Sequence, residues 1–244
     1  MTLWMVLSMP ALAMLAQEPA TPGAHVAQQI ACGPMSVAAA PVAGIQVAGG
    51  FEPGRQSYAP GERIVLSAGS NQGIKAGQRY FVRRQVHDMF TPAAPDFTPI
   101  SVHTAGFVTV VETRDDQSVA EITLGCDTVL RGDYLEPYTE PVVPAPTPAG
   151  APDFDNPARI VMADEMKQTG SEGTMMLINR GSEMGVQPGQ TLTIYRVTLN
   201  GGGPSVIVGS GTVLSVRPQT SLMRVDQSRD AVYIGDLAAL HRVQ

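Results

Sequence analysis

The sequence predicts an all-β protein built from two tandem, small antiparallel β-barrel-like modules, and three observations lead to this prediction. Short segments rich in β-branched residues alternate with Gly, Pro, Asp and Asn, which is the pattern of strands and turns. No long segment has the apolar spacing of a helix. The whole pattern then occurs a second time within the 244 residues. A closed or half-closed barrel also removes exposed sheet edges.

The two copies align with each other along most of their length. One constant interval relates Gly61, Gly73, Gly77, Gln78 and Arg84 to Gly173, Gly185, Gly189, Gln190 and Arg196. After a loop that is shorter in the second copy, Gly106, Arg114, Ser118, Asp127, Gly132 and Asp133 match Gly209, Arg217, Ser221, Asp230, Gly235 and Asp236. The alignment predicts an internal duplication whose copies are whole small domains.

A repeated glycine motif, "GIKAGQ" and "GVQPGQ", predicts a corner between two strands in each copy. The motif residues are Gly73, Gly77, Gln78, Gly185, Gly189 and Gln190. Glycine reaches the positive φ that tight connections need, and we expect Ile74 and Val186 to plug the barrel ends. The alternative is a loop that cradles an anion, but no helix pattern follows to supply an N-terminus.

Composition divides the chain into five parts. They are a signal peptide at 1–16, an irregular lead-in at 17–43, a first module at 44–138, a Pro-rich linker at 139–157 and a second module at 158–244. An apolar run followed by small residues at Ala11 and Ala13 predicts the signal peptide, although no Lys or Arg precedes the run. Closely spaced prolines predict an extended linker, with a protease-sensitive tether at 143–152.

The chain has 2 cysteines, Cys32 and Cys126. Export would place them in an oxidising compartment, where two cysteines usually form one disulfide. We therefore predict a bridge that attaches the lead-in to the first module, worth about 4 kcal/mol in the chain-entropy model. A metal site is the alternative, but the sequence lacks the paired His spacing that would complete it.

Charge and motifs narrow the function classes. A net charge of −6 argues against a nucleic-acid surface. The sequence has no phosphate-binding loop, nucleophile elbow or paired-histidine metal motif. We therefore expect no catalytic residues, no metal ligands and no cofactor, and we expect no transmembrane span in the mature chain.

One combination of motifs resembles a known class of module: "GI/V-x-x-GQ" entering a strand that ends in Arg, then "G-x-V-x-V", then Gly-Asp before the last strand. This combination is similar to exported bacterial β-modules such as the C-terminal domain of the flagellar protein FlgT, and more loosely to the β-domains of the cell-shape protein MreC. The resemblance covers both copies but neither the lead-in nor the linker. It implies a scaffolding or assembly protein of the cell envelope and supplies no catalytic residues.

The leading hypothesis is therefore a non-catalytic periplasmic or extracellular protein that binds a protein or glycan component of the envelope. One alternative is a carbohydrate- or peptidoglycan-binding module. Its stacking surfaces would come from Tyr58, Tyr80, Tyr134, Tyr138, Tyr195 and Phe107. A secreted hydrolase is a further alternative.

The loop between His87 and His103 is longer than its counterpart in the second copy and is the predicted recognition element. Loops on rigid scaffolds commonly carry binding, and Met89, Phe90 and Phe97 offer apolar anchors. The alternative is a lid that packs over the open end of its own barrel.

Overall fold

The computed structural model describes residues 22–37, 39, 44–86, 100–163, 167–198 and 202–243. It is 52% strand and 8% helical, which confirms the predicted all-β class.

A helix, α1, spans Pro22–Cys32. Strands β1 to β9 are Met35–Val37, Val47–Gly50, Ser57–Tyr58, Arg63–Leu66, Arg79–Val86, Ile100–Thr113, Ser118–Gly125, Val129–Leu130 and Tyr134–Pro137. Strands β10 to β18 are Ala149–Pro152, Ala158–Ala163, Thr169–Gly170, Met175–Ile178, Thr191–Val197, Ser205–Val216, Ser221–Ser228, Val232–Tyr233 and Leu237–Val243.

The second module is a closed antiparallel barrel. Its strands follow the order β18-β11-β13-β16-β15-β14, and β14 pairs with β18 to close the ring. Inward-facing residues such as Ile160, Leu192 and Met223 are fully buried in one apolar cluster. Closure satisfies the backbone groups that an open sheet would leave at its edges.

The first module has the strand order β2-β4-β7-β6-β5-β9 and closes with fewer bonds. Its ends meet at a single bridge between Gln46 and Tyr134. Beside this bridge, the Val47 N–H donates to the Asp133 carbonyl at 2.8 Å, and the Leu135 N–H donates to the Ile45 carbonyl at 2.9 Å. The extra strand β1 pairs with the beginning of β6.

An ion pair between a partly exposed arginine and a buried carboxylate lies at one end of the first barrel. Arg84 Nε and Nη2 donate to the two carboxylate oxygens of Asp133 at 2.7 and 2.8 Å, and Nη2 also donates to the Thr128 carbonyl at 2.9 Å. The Asp133 carboxylate, only 3% exposed, accepts the Leu130 N–H as well. The pair therefore joins β5 to the turn before β9.

The second barrel has the same ion pair at the matching positions. Arg196 Nε and Nη2 donate to Asp236 at 2.7 and 2.8 Å, and Nη2 also donates to the Ala231 carbonyl at 2.8 Å. Asp236 accepts the Tyr233 N–H. This pair is the physical reason for the repeated Arg at a strand end and the repeated Gly-Asp before the last strand.

The glycine motif lies at a strand-to-strand corner in both modules. Short 3-10 turns, Ser70–Gln72 and Ser182–Met184, end at glycines with φ of 83° and 78°. The side chains that follow, Ile74 and Val186, are buried in the two barrel cores. The Gln78 side chain accepts the N–H of the residue three positions earlier, at 2.9 Å.

The prediction of an irregular lead-in is wrong for the residues that form α1 and β1. Val26 and Ile30 lie four residues apart and pack on the second module, against a patch outside its barrel. The patch consists of Val161, Met162, Met175, Leu177, Leu214 and Leu222. Because most helical stability in proteins comes from tertiary packing, a short Ala-containing segment without a clear period of its own becomes a helix here.

The same segment also contacts the first module, so residues 22–37 form a brace between the two. Ala31 and Cys32 pack against Phe81 and Phe107. The Ser36 and Thr220 hydroxyls form a buried hydrogen bond of 3.0 Å between the brace and the second module.

The predicted disulfide between Cys32 and Cys126 is confirmed, with the two Cα atoms 5.5 Å apart. It fixes the end of α1 to the first module. Phe81, Phe107 and Tyr138 surround it, with ring centroids 5.0 to 5.6 Å apart.

The Pro-rich linker contains one strand, β10, and is without regular structure before and after it. Strand β10 pairs with the end of β18 at the edge of the sheet, where proline is tolerated. The Thr147 N–H donates to the Gly189 carbonyl at 2.9 Å. The tether predicted at 143–152 is therefore wrong for residues 147–152, which are docked on the second module.

The disulfide generates the first prediction. Cys126→Ser should lower the free energy of unfolding by up to about 4 kcal/mol, because the unfolded chain loses a cross-link over a separation of 94 residues. Urea unfolding followed by circular dichroism measures the loss. Cys32→Ser should give the same value, and dithiothreitol should destabilise only the parent protein. Two free thiols in the non-reduced protein would contradict the bridge.

The barrel-end ion pair generates the second prediction. Asp236→Ala should cost about 3 kcal/mol, because it leaves the Arg196 guanidinium without its buried partner and the Tyr233 N–H without its acceptor. Asp230→Ala is the matched control, since that carboxylate is 65% exposed and lies 3.5 Å from the same arginine. The control should change stability by less than about 1 kcal/mol in urea unfolding. Equal losses of unfolding free energy in the two variants would contradict the prediction that the buried Asp236 contributes more than Asp230.

Candidate binding cleft between the modules

The predicted recognition residues Met89, Phe90 and Phe97 lie outside the described residues. The hypothesis that their loop binds a partner stays a prediction, and so does the signal peptide at 1–16. The corner glycines lie in the connections between strands at the barrel ends, where they have a structural role.

The aromatic residues considered for sugar stacking are mostly inside the protein. Tyr58, Tyr80, Tyr134, Tyr195 and Phe107 are buried. Tyr138 is half-buried, and the Arg79 guanidinium lies 3.9 Å from its ring centroid. These residues pack the cores and the disulfide surroundings, so they do not form the stacking surface that the sugar-binding alternative needs.

A cleft of about 300 Å³ lies where the brace meets both modules. Its apolar walls come from Ile30, Phe81 and Leu222, with Pro137 at the end of β9 and Pro141 in the linker. Its charged lining includes side chains from both modules. This position makes the cleft a product of the brace, since neither barrel alone encloses it.

Arg83 supplies one charge of the cleft and is 6% exposed. Its Nε lies 2.7 Å from Glu136 Oε2, Nη1 donates to the Thr104 hydroxyl at 3.2 Å, and Nη1 also contacts Met35 Sδ. The guanidinium lies 4.3 Å from the Phe81 ring centroid. Burial lowers the pKa of Arg83, and the neighbouring charge of Arg217 lowers it further, whereas Glu136 opposes both effects.

Arg217 supplies a second cation, directly after β15. Its Nη2 lies 3.6 Å from Met35 Sδ, so one thioether stands between two guanidinium groups. Within the described part of the chain, no carboxylate lies at ion-pair distance from Arg217. The matching arginine of the first module, Arg114, is paired with Glu112 at 3.1 Å. Ser215 occupies the position that matches Glu112.

Tyr134 lies beside these charges, directly opposite Arg83 in the pairing of β5 with β9. It is 8% exposed, and its hydroxyl has no hydrogen-bond partner among the described residues. Burial raises the pKa of Tyr134 to about 12, with a further contribution from the Glu136 charge. The phenol is therefore neutral throughout the physiological range.

Sequence reasoning missed this cleft. Met35, Arg83 and Arg217 are far apart in the chain and meet only through the brace. The available signal was a difference between the copies, since the ion pair of Glu112 with Arg114 has no counterpart at Ser215 and Arg217.

The histidines do not form a metal site among the residues that the structure describes. His103 Nε2 lies 3.2 Å from Asp127, and the His241 ring contacts the Thr193 hydroxyl at 2.9 Å. The described residues contain no group of three or more His, Cys, Asp or Glu side chains placed to hold a metal ion. No helix among them has the length and apolar character needed to cross a membrane.

Comparison with known proteins gives no assignment: no family model matches the sequence, and no curated protein matches it significantly. The resemblance to the flagellar and cell-shape modules therefore stays an expectation.

The unpartnered phenol generates the third prediction. At neutral pH, Tyr134→Phe should leave stability unchanged or raise it by about 1 kcal/mol, because the hydroxyl is buried without a partner. In the unfolded chain a phenol ionises near pH 10, whereas Tyr134 in the fold stays neutral until about pH 12. The neutral phenol therefore favours the fold below about pH 10, and this contribution is lost as pH rises towards 12.

Urea unfolding at several pH values tests this. Relative to Tyr134→Phe, the parent protein should lose about 1 kcal/mol between about pH 9 and 11. Tyr58→Phe is the control at neutral pH: it should destabilise by about 1 kcal/mol, since the Tyr58 hydroxyl donates to the Arg55 carbonyl at 2.7 Å. A larger loss from Tyr134→Phe than from Tyr58→Phe at neutral pH would show that the Tyr134 hydroxyl has a partner.

Proposed function

We propose that this protein is a non-catalytic scaffolding, assembly or binding protein of the bacterial cell envelope, exported to the periplasm or beyond. The observation that supports this most is the brace. A segment anchored by a disulfide contacts both barrels and, with them, encloses a cleft at their junction. A fixed arrangement of two modules suits a protein that positions a partner.

Two further observations support the proposal. A disulfide is typical of oxidising compartments such as the periplasm. The ion pairs of Arg84 with Asp133 and of Arg196 with Asp236 are the same in both modules, which supports an origin by internal duplication. Two modules with the same fold but different surface residues can make different contacts with a partner.

A protein component of the envelope is the favoured partner. Five of the six aromatic side chains considered for glycan stacking are buried. The apolar walls of the cleft suit a polypeptide or another apolar group better than a sugar ring.

The fourth prediction concerns partner capture. Cross-linked pull-downs from envelope fractions, with the oxidised full-length chain as bait, should recover a reproducible protein partner. Cys126→Ser should reduce the recovery several-fold, because it removes the covalent attachment of α1 to the first module at the edge of the cleft. A bait in which the loop between His87 and His103 is shortened to the length of the second copy separates the two readings of that loop. Lost capture with unchanged melting supports recognition, whereas a sharp fall in melting temperature with capture retained supports a lid.

The control bait is Asp230→Ala, a surface change that should capture as well as the parent protein. Three results would contradict the proposed role. They are equal recovery on an unrelated disulfide-containing bait, residence of the chain in the cytoplasm, and hydrolysis of an envelope substrate by the purified protein.

A further inference from the structure

We propose that the cleft between the modules binds a monovalent carboxylate attached to an apolar group, with Arg217 as its charged contact. The inference rests on the proposed binding role and names the chemistry that the cleft recognises. The C-terminal residue of a polypeptide and a small branched or aromatic organic acid share this chemistry.

The hydrogen-bonding capacity of Arg217 is the first step. A guanidinium carries five N–H donors and no acceptor. The side-chain partner that the structure gives Arg217 is Met35 Sδ, at 3.6 Å, and Arg83 contacts the same sulfur. A thioether is a weak acceptor. The guanidinium donors of Arg217 therefore lack a strong side-chain acceptor among the described residues.

The charged side chains that line the cleft determine which net charge of a ligand they can balance. Arg83 is balanced by Glu136 at 2.7 Å, and the nearby Glu140 lies 3.7 Å from Arg79. Arg217 is left with one positive charge that no carboxylate of the described chain balances. A single negative charge matches it, whereas a divalent phosphate would also be repelled by Glu136 and Glu140.

The shape of the acceptor follows from the guanidinium. Arginine binds a planar carboxylate through two parallel N–H···O bonds, which fixes the ligand's orientation as well as its charge. The rest of the ligand meets Ile30, Phe81 and Leu222, which are apolar. A volume of about 300 Å³ is at the small end of ligand pockets, so the cleft suits one apolar residue or an acid of that size.

The matching arginine of the first module has a carboxylate partner within its own strand region. There Arg114 is paired with Glu112, two residues earlier, at 3.1 Å. In the second module Ser215 replaces the glutamate, and the free arginine lies against the brace. The unpaired charge is therefore specific to the copy that lines the cleft.

The test uses the oxidised full-length chain, labelled with ¹⁵N, and follows amide shifts by NMR. The probes are N-acetyl-leucine, its neutral analogue N-acetyl-leucinamide, and inorganic phosphate. N-acetyl-leucine should give saturable shifts for residues around the cleft, and the amide should bind at least about tenfold more weakly, the effect of losing a charge-assisted pair. Arg217→Gln should weaken N-acetyl-leucine binding by a similar factor.

Two further variants make the test specific. Arg229→Gln removes the same charge from an exposed position of the second module and should bind N-acetyl-leucine like the parent protein. Ser215→Glu places in the second module the carboxylate that Arg114 has in the first, so it should occupy Arg217 and abolish binding without lowering the melting temperature. A tripeptide ending in leucine separates the two sources of ligand. Tighter binding than N-acetyl-leucine assigns the site to a polypeptide C-terminus, and equal binding assigns it to a small acid; both support the proposal.

Several results would overturn it. They are the absence of saturable shifts, equal binding of the amide and the acid, tighter binding of phosphate than of N-acetyl-leucine, and unchanged binding by Arg217→Gln with an unchanged melting temperature. If the Arg217→Gln bait also captures the envelope partner as well as the parent protein does, the scaffolding role stands and only the carboxylate site is lost.

Discussion

The bond between Cys32 and Cys126 holds the end of α1 on the first module and, together with the pairing of β1 with β6, fixes the brace between the two barrels. An isolated helix of 11 residues is marginal in water. Here one part of the helix packs on the second module through Val26 and Ile30, while its last residues pack on the first. The helix is therefore stable only as a bridge, and the cleft exists only while the bridge is in place.

The two barrels have the same Arg–Asp ion pair at one end but different residues beside it on the outer surface. Both β5 and β14 shift register one position before the arginine of the ion pair. The residue at the shift is Arg83 in the first module, covered by the brace, and Tyr195 in the second, which packs against Phe154 with ring centroids 5.2 Å apart. A frame fixed by Arg–Asp pairs lets these neighbouring positions take different roles.

The parts of the fold that were predictable depend on local chemistry. The strands and the corner glycines can be recognised from the residues of one short segment. The disulfide can be predicted from the number of cysteines in the chain. The brace was not predictable, because the apolar stripe of α1 is short and gains meaning only from a surface formed by β11, β13, β15 and β16. The cleft was missed for the same reason: Arg83 looks like any strand residue until Met35 and Glu136 lie against it.

The difference between the two modules bears directly on function. Placing Arg83 and Arg217 on one sulfur atom brings like charges together, and burial disfavours the charged form of Arg83, so its pKa is lowered although Glu136 opposes this. A glutamate at residue 215 would pair with Arg217 locally, as Glu112 pairs with Arg114 at 3.1 Å. The fold itself gains little from the Arg217 charge, whose described partner is a thioether. In the proposed site a ligand supplies the counterion of Arg217, and the apolar walls beside it determine what that counterion is attached to.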